Sequence, residues 1–354
     1  MHRVTGSCFQ LNERERLAGA MPRAAFLLLI VLFLAACAGS VERPVGPGPE
    51  TPQLNDDTIT AADGYRLPLH RWLPDTAPRA VVLALHGFND HGGAFGVLAD
   101  GLNEQGMALY AYDQRGFGGS EPRGIWPGRD LLVNDAITAT ELLAQRYPGK
   151  PLFLMGKSMG GAVVMLTLTD DHAPVVAGSV LIAPAVWGEE TMPWYQQFGL
   201  WLGETLTPGI RLSVDLAQAL GNEPTDDDAV LEALKADPMV QREARIDTIE
   251  SLSELMDEAL VASADLPGPA LILYGDEDQI IPADPVCLML GKLPDPDFRP
   301  WRMVLYPGGY HMLTRYTGAD QVHADINAWL RDIGGALPSG HEVGRPEAQR
   351  LLCS

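Results

Sequence analysis

Short apolar segments alternate with segments of helical periodicity along most of the chain. Ala80–Leu85 reads AVVLAL and is apolar at every position, as in a strand buried on both faces of a sheet. Repeated strand–helix units of this kind predict an α/β fold with a mostly parallel central sheet flanked by helices. The predicted strands are Thr58–Thr60, Tyr65–Trp72, Ala80–Leu85, Met107–Tyr112, Leu152–Met155, Ser179–Ile182, Ala270–Tyr274 and Met303–Tyr306. The predicted helices are Ala94–Glu104, Leu131–Arg146, Gly160–Leu168 and Val322–Asp332.

Three regions depart from this alternation. A long, acid-rich segment of helical pattern occupies about residues 187–265, and we expect it to be an insertion over one end of the sheet. Residues 38–57 are rich in Pro, Gly and polar side chains, which predicts a flexible tether. Residues 336–354 are predicted to be a loose C-terminal tail. The folded domain would then run from residue 58 to residue 335.

An apolar run near the amino terminus predicts a signal segment over residues 1–37. Ala24–Ala36 would span about 20 Å as a helix, short of the roughly 30 Å hydrocarbon core of a bilayer. The run follows Arg23 and ends in Leu-Ala-Ala before Cys37, which resembles the lipobox of bacterial lipoproteins. That resemblance implies lipidation of Cys37 and, with Ala38 next, an outer-membrane anchor facing the periplasm. An ordinary secretory signal and an uncleaved anchor are the alternatives.

Charge and cysteine content bear on partners and cofactors. The chain has 46 acidic and 25 basic side chains and a formal net charge of −21, so we expect no nucleic-acid binding. Neither CxxC nor HExxH occurs, and we expect neither a metal nor an organic cofactor. A disulfide between Cys287 and Cys353 is an open alternative in an oxidising compartment, but Cys287 falls in a segment expected to be helical and Cys353 in a frayed end, so we favour unpaired cysteines.

The strongest chemical signal is the segment Gly156–Gly160, which reads GKSMG. It stands between a predicted strand and a predicted helix, which is the context of a nucleophile elbow. The residues two positions before and two positions after the nucleophile in such a turn must be small, and the helix amino terminus points at the developing negative charge. Ser158 is therefore the predicted nucleophile.

A serine hydroxyl needs a positioned base, and the base needs an acid that fixes its tautomer. Among eight histidines, His311 follows a late strand at its carboxyl end, where the active groups of such sheets lie. The loop after the strand at 270–274 offers Asp276 and Asp278, of which we favour Asp278. A calcium-binding loop is the alternative for this acidic stretch, although its ligand spacing is irregular.

A tetrahedral intermediate needs two hydrogen-bond donors aimed at its oxyanion. The backbone N–H of Met159, directly after the nucleophile, is one candidate. The loop after the strand at 80–85 offers the backbone N–H of Phe88 as the second. His86 and His91 in that loop are expected to brace it through hydrogen bonds rather than to act as bases.

Five segments stand in order along the chain: HGFNDHGG, DQRGFGGS, GKSMGG, YGDEDQIIP and YPGGYHML. Together they resemble the monoacylglycerol lipases and lysophospholipases of the α/β-hydrolase superfamily, a group also classified as serine aminopeptidase-like. The resemblance spans about Thr58–Asp332 and implies the α/β-hydrolase fold with a lid at about 187–265. It implies that the triad is Ser158, Asp278 and His311, and that the oxyanion donors are Phe88 and Met159.

The same resemblance implies structural roles for a turn containing Asp113, Arg115 and Ser120, and for Asp135 on the following helix. The family more often has a small residue where Phe88 stands, so we expect its ring to narrow an acyl channel. The lid segment carries several large apolar side chains. These are Trp187, Trp194, Tyr195, Phe198, Trp201 and Leu202, which either pack the lid on the body, line an acyl tunnel or dock on a membrane.

We expect a monomeric serine hydrolase that cleaves small, lipid-like carboxylic esters of acylglycerol or lysophospholipid type. A peptidase or amidase with the same triad is one alternative. A non-enzymatic envelope lipoprotein that uses the fold as a scaffold is another, although a scaffold need not retain three separated catalytic residues. The fold alone does not identify the substrate.

Overall fold

The computed structural model describes residues 43–188, 202, 205, 207–213 and 222–353. The predicted signal segment of residues 1–37, with Cys37, lies outside the described residues, as do Trp194, Tyr195, Phe198 and Trp201. Of the helices that the structure describes, none combines the length and apolar character needed to cross a membrane.

A ten-stranded sheet forms the centre of the described part. Along the chain the strands are β1 (Gln53–Leu54), β2 (Thr58–Thr60), β3 (Arg66–Trp72), β4 (Ala80–Leu85), β5 (Met107–Tyr112), β6 (Leu152–Lys157), β7 (Gly178–Ile182), β8 (Arg211–Ser213), β9 (Glu243–Arg245), β10 (Ala270–Gly275), β11 (Trp301–Tyr306) and β12 (Glu342–Val343). The order across the sheet is β1-β2-β3-β5-β4-β6-β7-β10-β11-β12, and β8 pairs only with β9. The pairs from β5 to β11 are parallel and the edge pairs are antiparallel. The carboxyl ends of the central strands therefore meet at one edge, where sites of such sheets form.

Helices cover both faces of this sheet. They are α1 (Gly96–Glu104), α2 (Arg129–Arg146), α3 (Met159–Leu168), α4 (Asp228–Ala236), α5 (Ile246–Ala262), α6 (Ala283–Lys292), α7 (Ala319–Arg331) and α8 (Arg345–Leu352). The core on one face includes residues of α2, α3, α5, α6 and α8, and the core on the other includes residues of α1 and α7. α3 is buried at all ten positions, as its apolar sequence MGGAVVMLTL requires.

The α/β class and the predicted strand pattern are confirmed. β4 and β5 have the predicted bounds and are buried at every position, because each lies between two other strands and under helices. β2 and β3 pair antiparallel as a hairpin around Gly64, whose φ of 79° favours glycine. The other predicted strands and helices differ from the structure mainly at their ends, where boundaries are least determined by sequence.

Residues 43–57 pack on the domain, so the predicted flexible tether is wrong for this stretch. The N–H of Gly46 donates to Asp63 Oδ2 at 2.8 Å, and the N–H of Glu50 donates to the carbonyl of Ala62 at 2.9 Å. β1 pairs with β2. A segment rich in Pro and Gly has no core of its own, but its backbone groups find partners on the domain, which composition does not reveal.

Residues 336–353 are also folded, so the predicted loose tail is wrong. β12 pairs with β11, and α8 buries Ala348 and Leu352 in the same core as α6. Cys353 forms a disulfide with Cys287 of α6, with 5.3 Å between the two Cα atoms. The prediction of unpaired cysteines is therefore wrong as well, because the packing of α8 on α6 brings together residues 66 positions apart.

The insertion ends earlier than the predicted boundary at residue 265. In α5, Leu255, Ala259 and Leu260 are almost completely buried in the core that contains α3. This helix belongs to the body of the domain rather than to a lid. Acidic residues such as Glu254 led to the prediction of an insertion up to residue 265. The apolar face of this helix is nevertheless continuous with the core.

Candidate active site

Ser158 forms the turn between β6 and α3. Its φ of 52° and ψ of −121° are strained for a residue with a side chain. A Cβ on Gly156 would lie 2.2 Å from the carbonyl oxygen of Gly160, and a Cβ on Gly160 would lie 2.1 Å from that of Leu85. Both flanking glycines are therefore sterically required, as in a nucleophile elbow.

The backbone of Ser158 is held from the neighbouring strand β7. Its N–H donates to the carbonyl of Ile182 at 2.9 Å, and its carbonyl accepts from the N–H of Ala185 at 3.0 Å. Ser158 Oγ makes no hydrogen bond within the described residues. Hydrogen bonds of catalytic hydroxyls are commonly completed only when substrate binds.

His311 and Asp278 form a buried pair at the same edge of the sheet. His311 Nδ1 lies 2.8 Å from Asp278 Oδ2, and each residue is only 6% exposed. Asp278 Oδ1 accepts the backbone N–H groups of Ile280 and Ile281, each at 2.9 Å. The carboxylate is thus fixed on one oxygen by the backbone and presents the other to the imidazole. This arrangement orients the ring and leaves Nε2 for proton transfer.

Asp276 has a different environment. Its Oδ1 accepts the N–H of Gly308 at 2.6 Å, and its own N–H donates to the carbonyl of Tyr306. It joins the loop after β10 to the loop after β11 and is exposed, whereas Asp278 is buried against His311. The geometry therefore favours Asp278 over Asp276 as the partner of the base.

The loop after β4 passes beside the elbow. A Cβ on Gly87 would lie 3.3 Å from the Cβ of Ser158, so the loop backbone approaches the nucleophile closely. The backbone N–H groups of Phe88 and Met159 donate to no acceptor within the described part of the chain. Two unpaired N–H groups on either side of a nucleophile are the components of an oxyanion hole.

The two histidines of this loop brace it, as expected. His86 Nδ1 lies 2.8 Å from the carbonyl of Gly87, and its Nε2 accepts the N–H of Gln114 at 2.9 Å. Burial lowers the pKa of His86, which favours the neutral ring that these bonds need. His91 Nδ1 accepts the N–H of Gly93, and its Nε2 lies 3.0 Å from Asp237 Oδ2.

The turn after β5 has the structural role that the resemblance implied. Ser120 Oγ donates to the carbonyl of Asp113 at 2.7 Å. The guanidinium of Arg115 is buried and binds Asp135 on one side and Asp63 on the other. These contacts fasten the turn to α2 and to the β2–β3 hairpin.

Phe88 and Trp187 are the two aromatic candidates for acyl contact that lie within the described residues. The Phe88 ring packs edge-on against Phe117 at 5.5 Å between centroids and is only partly buried. Trp187 is also partly buried and packs on the main core. Phe88 therefore presents a ring next to the proposed oxyanion donors, and Trp187 begins the insertion directly after the core residue Val186.

Part of the insertion is bonded to the active-site loops. The N–H of Met312, next to His311, donates to the carbonyl of Pro224 at 2.9 Å. The N–H of Gln241 donates to the carbonyl of Asn89, also at 2.9 Å. Asn89 lies in the loop after β4 that carries Phe88, which we call the oxyanion loop. Residues 222–241 thus support the loops that carry the site, which the sequence analysis did not predict.

A possible metal-binding cluster, His70, His91 and Asp113, has its ligand atoms within 4.8 Å of one another. Hydrogen bonds already engage these atoms. Asp113 accepts from His70 and from the N–H groups of Gly92 and Gly119, and His91 is engaged at both ring nitrogens. These hydrogen bonds hold the loop after β4 and the turn after β5, which explains why the three side chains lie close together.

Sequence reasoning also missed a group of buried charges formed by Lys157, Asp90 and Arg315. A usable signal was present, because Lys157 ends the apolar strand LFLMG and precedes Ser158. An ionisable residue at the end of a buried strand needs a partner inside the protein.

Comparison with known proteins agrees with this geometry. The protein-family model Hydrolase_4, described as serine aminopeptidase, S33, matches residues 76–316. The monoacylglycerol lipase of Mycolicibacterium smegmatis is 29% identical over 280 residues, which cover 78% of this chain and 96% of that protein. The human monoglyceride lipase is 27% identical over 280 residues, covering 77% and 89% respectively.

Solved structures share the fold. The monoacylglycerol lipase of Paleococcus ferrophilus aligns with a TM-score of 0.61 at 23% identity, over 75% of this chain and 98% of that one. A soluble variant of the Saccharomyces cerevisiae monoglyceride lipase aligns with a TM-score of 0.65 at 22% identity, over 84% and 100%. Because the family model covers more than half of the chain and includes the elbow, Asp278 and His311, the protein belongs to the serine aminopeptidase S33 family of the α/β-hydrolases.

Proposed function

We propose that the protein is a serine hydrolase that cleaves carboxylic esters of acylglycerol or lysophospholipid type through an acyl-enzyme on Ser158. The observation that carries the proposal is the hydrogen-bonded pair of His311 and Asp278 at the sheet edge where the strained elbow presents Ser158. The proposal assigns the nucleophile to Ser158, the base to His311 and the acid to Asp278.

In the acylation half-reaction, His311 Nε2 takes the hydroxyl proton as Ser158 Oγ attacks the ester carbonyl. The negative charge on the carbonyl oxygen is stabilised by the N–H groups of Phe88 and Met159. Collapse of the intermediate breaks the bond to the alcohol, which leaves with the proton from His311. Asp278 stabilises the imidazolium while it exists.

In the deacylation half-reaction, water takes the place of the alcohol. His311 removes a proton from water, which attacks the acyl carbonyl, and the same two N–H groups stabilise the second oxyanion. Collapse releases the carboxylic acid and returns the proton to Ser158 Oγ. The step consumes one water for each ester bond.

The relatives support the substrate class. The proteins from Mycolicibacterium smegmatis and human are named for monoacylglycerol and monoglyceride hydrolysis, and each aligns over most of its length. The family description, serine aminopeptidase, favours a second candidate function in which the same triad hydrolyses an aminoacyl amide. Comparing monoacylglycerols, lysophospholipids and aminoacyl p-nitroanilides as substrates distinguishes the two functions.

An acyl-chain series tests the lipid-ester assignment. Each further methylene that the enzyme buries in the transition state contributes up to about 0.8 kcal/mol. We therefore expect kcat/KM to rise by up to about fourfold per CH₂, until the binding site is full. The measurement uses p-nitrophenyl esters from acetyl to palmitoyl, each below its critical micelle concentration. Phe88→Ala should shift the preference towards bulkier acyl groups.

Two outcomes would contradict the lipid-ester assignment. One is a flat wild-type profile over the whole series, because it would mean that no acyl tunnel is filled. The other is hydrolysis of aminoacyl amides with a kcat/KM above that of every ester. Thr58→Ser serves as the control for Phe88→Ala. Thr58 lies on β2, the second strand from one edge of the sheet, and is none of the proposed site residues.

The proposal places the protein in the bacterial envelope, anchored by lipid on Cys37 and facing the periplasm. The lipobox-like ending at Cys37 supports this location. The disulfide between Cys287 and Cys353 supports export independently, because such bonds persist mainly in oxidising compartments.

Replacing Cys37 tests the anchor. In a Gram-negative host grown with labelled palmitate, the wild type should carry the label and fractionate with the membranes. Cys37→Ser should lose the label, because serine offers no thiol for acylation. Cys287→Ser is the matched control and should keep the label. An unlabelled wild type released in soluble form would contradict the proposed anchor.

A further inference from the structure

Three charged side chains meet inside the protein next to the nucleophile. Lys157 Nζ lies 2.9 Å from Asp90 Oδ2, and the guanidinium of Arg315 donates to the same oxygen. The side chains of Lys157 and Asp90 are only 6% and 7% exposed. Buried charges are costly even when paired, so stability alone is a weak reason for this arrangement.

The three members of this charge cluster come from three different parts of the site, two loops and the end of a strand. Asp90 lies in the loop after β4, two residues beyond Phe88. Lys157 ends β6 directly before Ser158. Arg315 lies in the loop after β11, four residues beyond His311. The cluster therefore links the loop of the proposed oxyanion donor, the elbow and the loop of the base.

Further contacts hold the Asp90 carboxylate and the Lys157 side chain against the oxyanion loop. Asp90 Oδ1 accepts the N–H of His91 at 3.1 Å, which holds the carboxylate within its own loop. The Cε of Lys157 lies 3.3 Å from the position that a Cβ on Gly87 would occupy. The lysine side chain thus runs along the backbone of the oxyanion loop before it reaches Asp90.

We infer that Lys157, Asp90 and Arg315 are positioning residues that hold the Phe88 N–H group and the His311 loop in register with Ser158. The inference rests on the proposed function, since it assigns these residues to the same reaction. A donor or base displaced by about 1 Å can cost about 100-fold in rate, so fixing the loops by ionic contacts has a measurable consequence.

The charge state of Lys157 gives the cluster a pH dependence. Burial and the nearby charge of Arg315 lower the pKa of Lys157 to about 8, against the opposing effect of Asp90. Burial by itself raises the pKa of Asp90, but Lys157 and Arg315 lower it well below its ordinary value. His86, another titratable neighbour of Asp90, is held neutral by burial. Above about pH 8 the lysine loses its charge, and the elbow loses its ionic link to Asp90.

Lys157→Met is the informative substitution. Methionine has a similar length, and Asp90 with Arg315 is left as a balanced pair rather than as an unpaired buried charge. We expect kcat for p-nitrophenyl butyrate to fall by about 10- to 100-fold while KM changes by less than about twofold. In the wild type, kcat should decline as the pH rises past about 8, where Lys157 loses its charge. This alkaline limb of the pH profile should be absent in Lys157→Met, and the acidic limb should stay in place. Lys150→Met, the same change at an exposed lysine, is the control.

Arg315→Met provides a second variant if Lys157→Met does not fold. Removing the guanidinium removes the repulsion that lowers the pKa of Lys157, so the alkaline limb should move to higher pH. A folded variant of either kind with wild-type kcat and an unshifted alkaline limb would overturn the positioning role. A variant that has lower thermal stability but unchanged kinetics would overturn it as well. A wild type that hydrolyses no ester through Ser158 would instead overturn the proposed function, which separates the two failures.

Discussion

Ser158→Ala is expected to lower kcat for ester hydrolysis by about 10⁴-fold or more. Every covalent step of the proposed mechanism passes through Ser158 Oγ, and the described residues provide no second hydroxyl in the elbow. The remaining rate would come from the oxyanion donors and from substrate binding. The comparison uses wild type and variant at saturating p-nitrophenyl butyrate, each purified from a host that lacks its own esterases of this activity.

The fold should survive this substitution. Ser158 Oγ makes no hydrogen bond within the described residues, and its strained backbone is fixed by the flanking glycines and by β7. Ser179→Ala is the matched control, because its buried hydroxyl also has no partner within the described residues and lies on β7. We expect Ser179→Ala to keep its activity. Substantial hydrolysis by a clean Ser158→Ala preparation would refute the acyl-enzyme.

Asp278→Asn is expected to lower kcat by about 10³- to 10⁴-fold. The backbone N–H groups of Ile280 and Ile281 both donate to Oδ1, so an asparagine would keep its oxygen at that position. Its NH₂ group would then face His311 Nδ1 and donate to it. The imidazole proton would move to Nε2, where a lone pair is needed to accept the proton of Ser158.

Asp276→Asn separates the two aspartates. Asparagine can still accept the N–H of Gly308 through its oxygen, and Asp276 makes no contact with His311 among the described residues. We expect a loss of activity far smaller than that of Asp278→Asn. Equal losses in the two variants, or a larger loss in Asp276→Asn, would show that the acid is assigned to the wrong residue.

Local signals in the sequence were sufficient to predict the central sheet and to propose the triad. β4 and β5 consist of apolar and aromatic residues, and β6 is apolar up to Gly156 before it ends in Lys157. All three strands are buried on both faces, so their positions can be read directly. The elbow is recognisable because steric contacts require glycine at 156 and 160. His311, and Asp276 and Asp278 as alternatives, could be selected because their loops follow parallel strands, and such strand ends meet at one edge. Position after the strand did not by itself separate Asp278 from Asp276.

Features that depend on long-range packing could not be predicted in this way. The disulfide of Cys353 requires α8 to pack on α6, and no local pattern encodes that contact. The ordered stretch at 43–57 depends on acceptors such as the Asp63 carboxylate. The charge cluster at Lys157 depends on two loops that are distant in sequence. In each case the chain segment alone resembles a tail, a tether or an isolated charge.

The most direct test of the account is to locate the covalent intermediate. The purified wild type is treated with a fluorophosphonate, digested, and mapped by peptide mass spectrometry, with parallel measurement of ester hydrolysis. The account predicts one phosphonylated residue, Ser158, whose labelling parallels the loss of activity and is absent in Ser158→Ala. Loss of activity with the label on another residue, or full activity with Ser158 completely labelled, would contradict it.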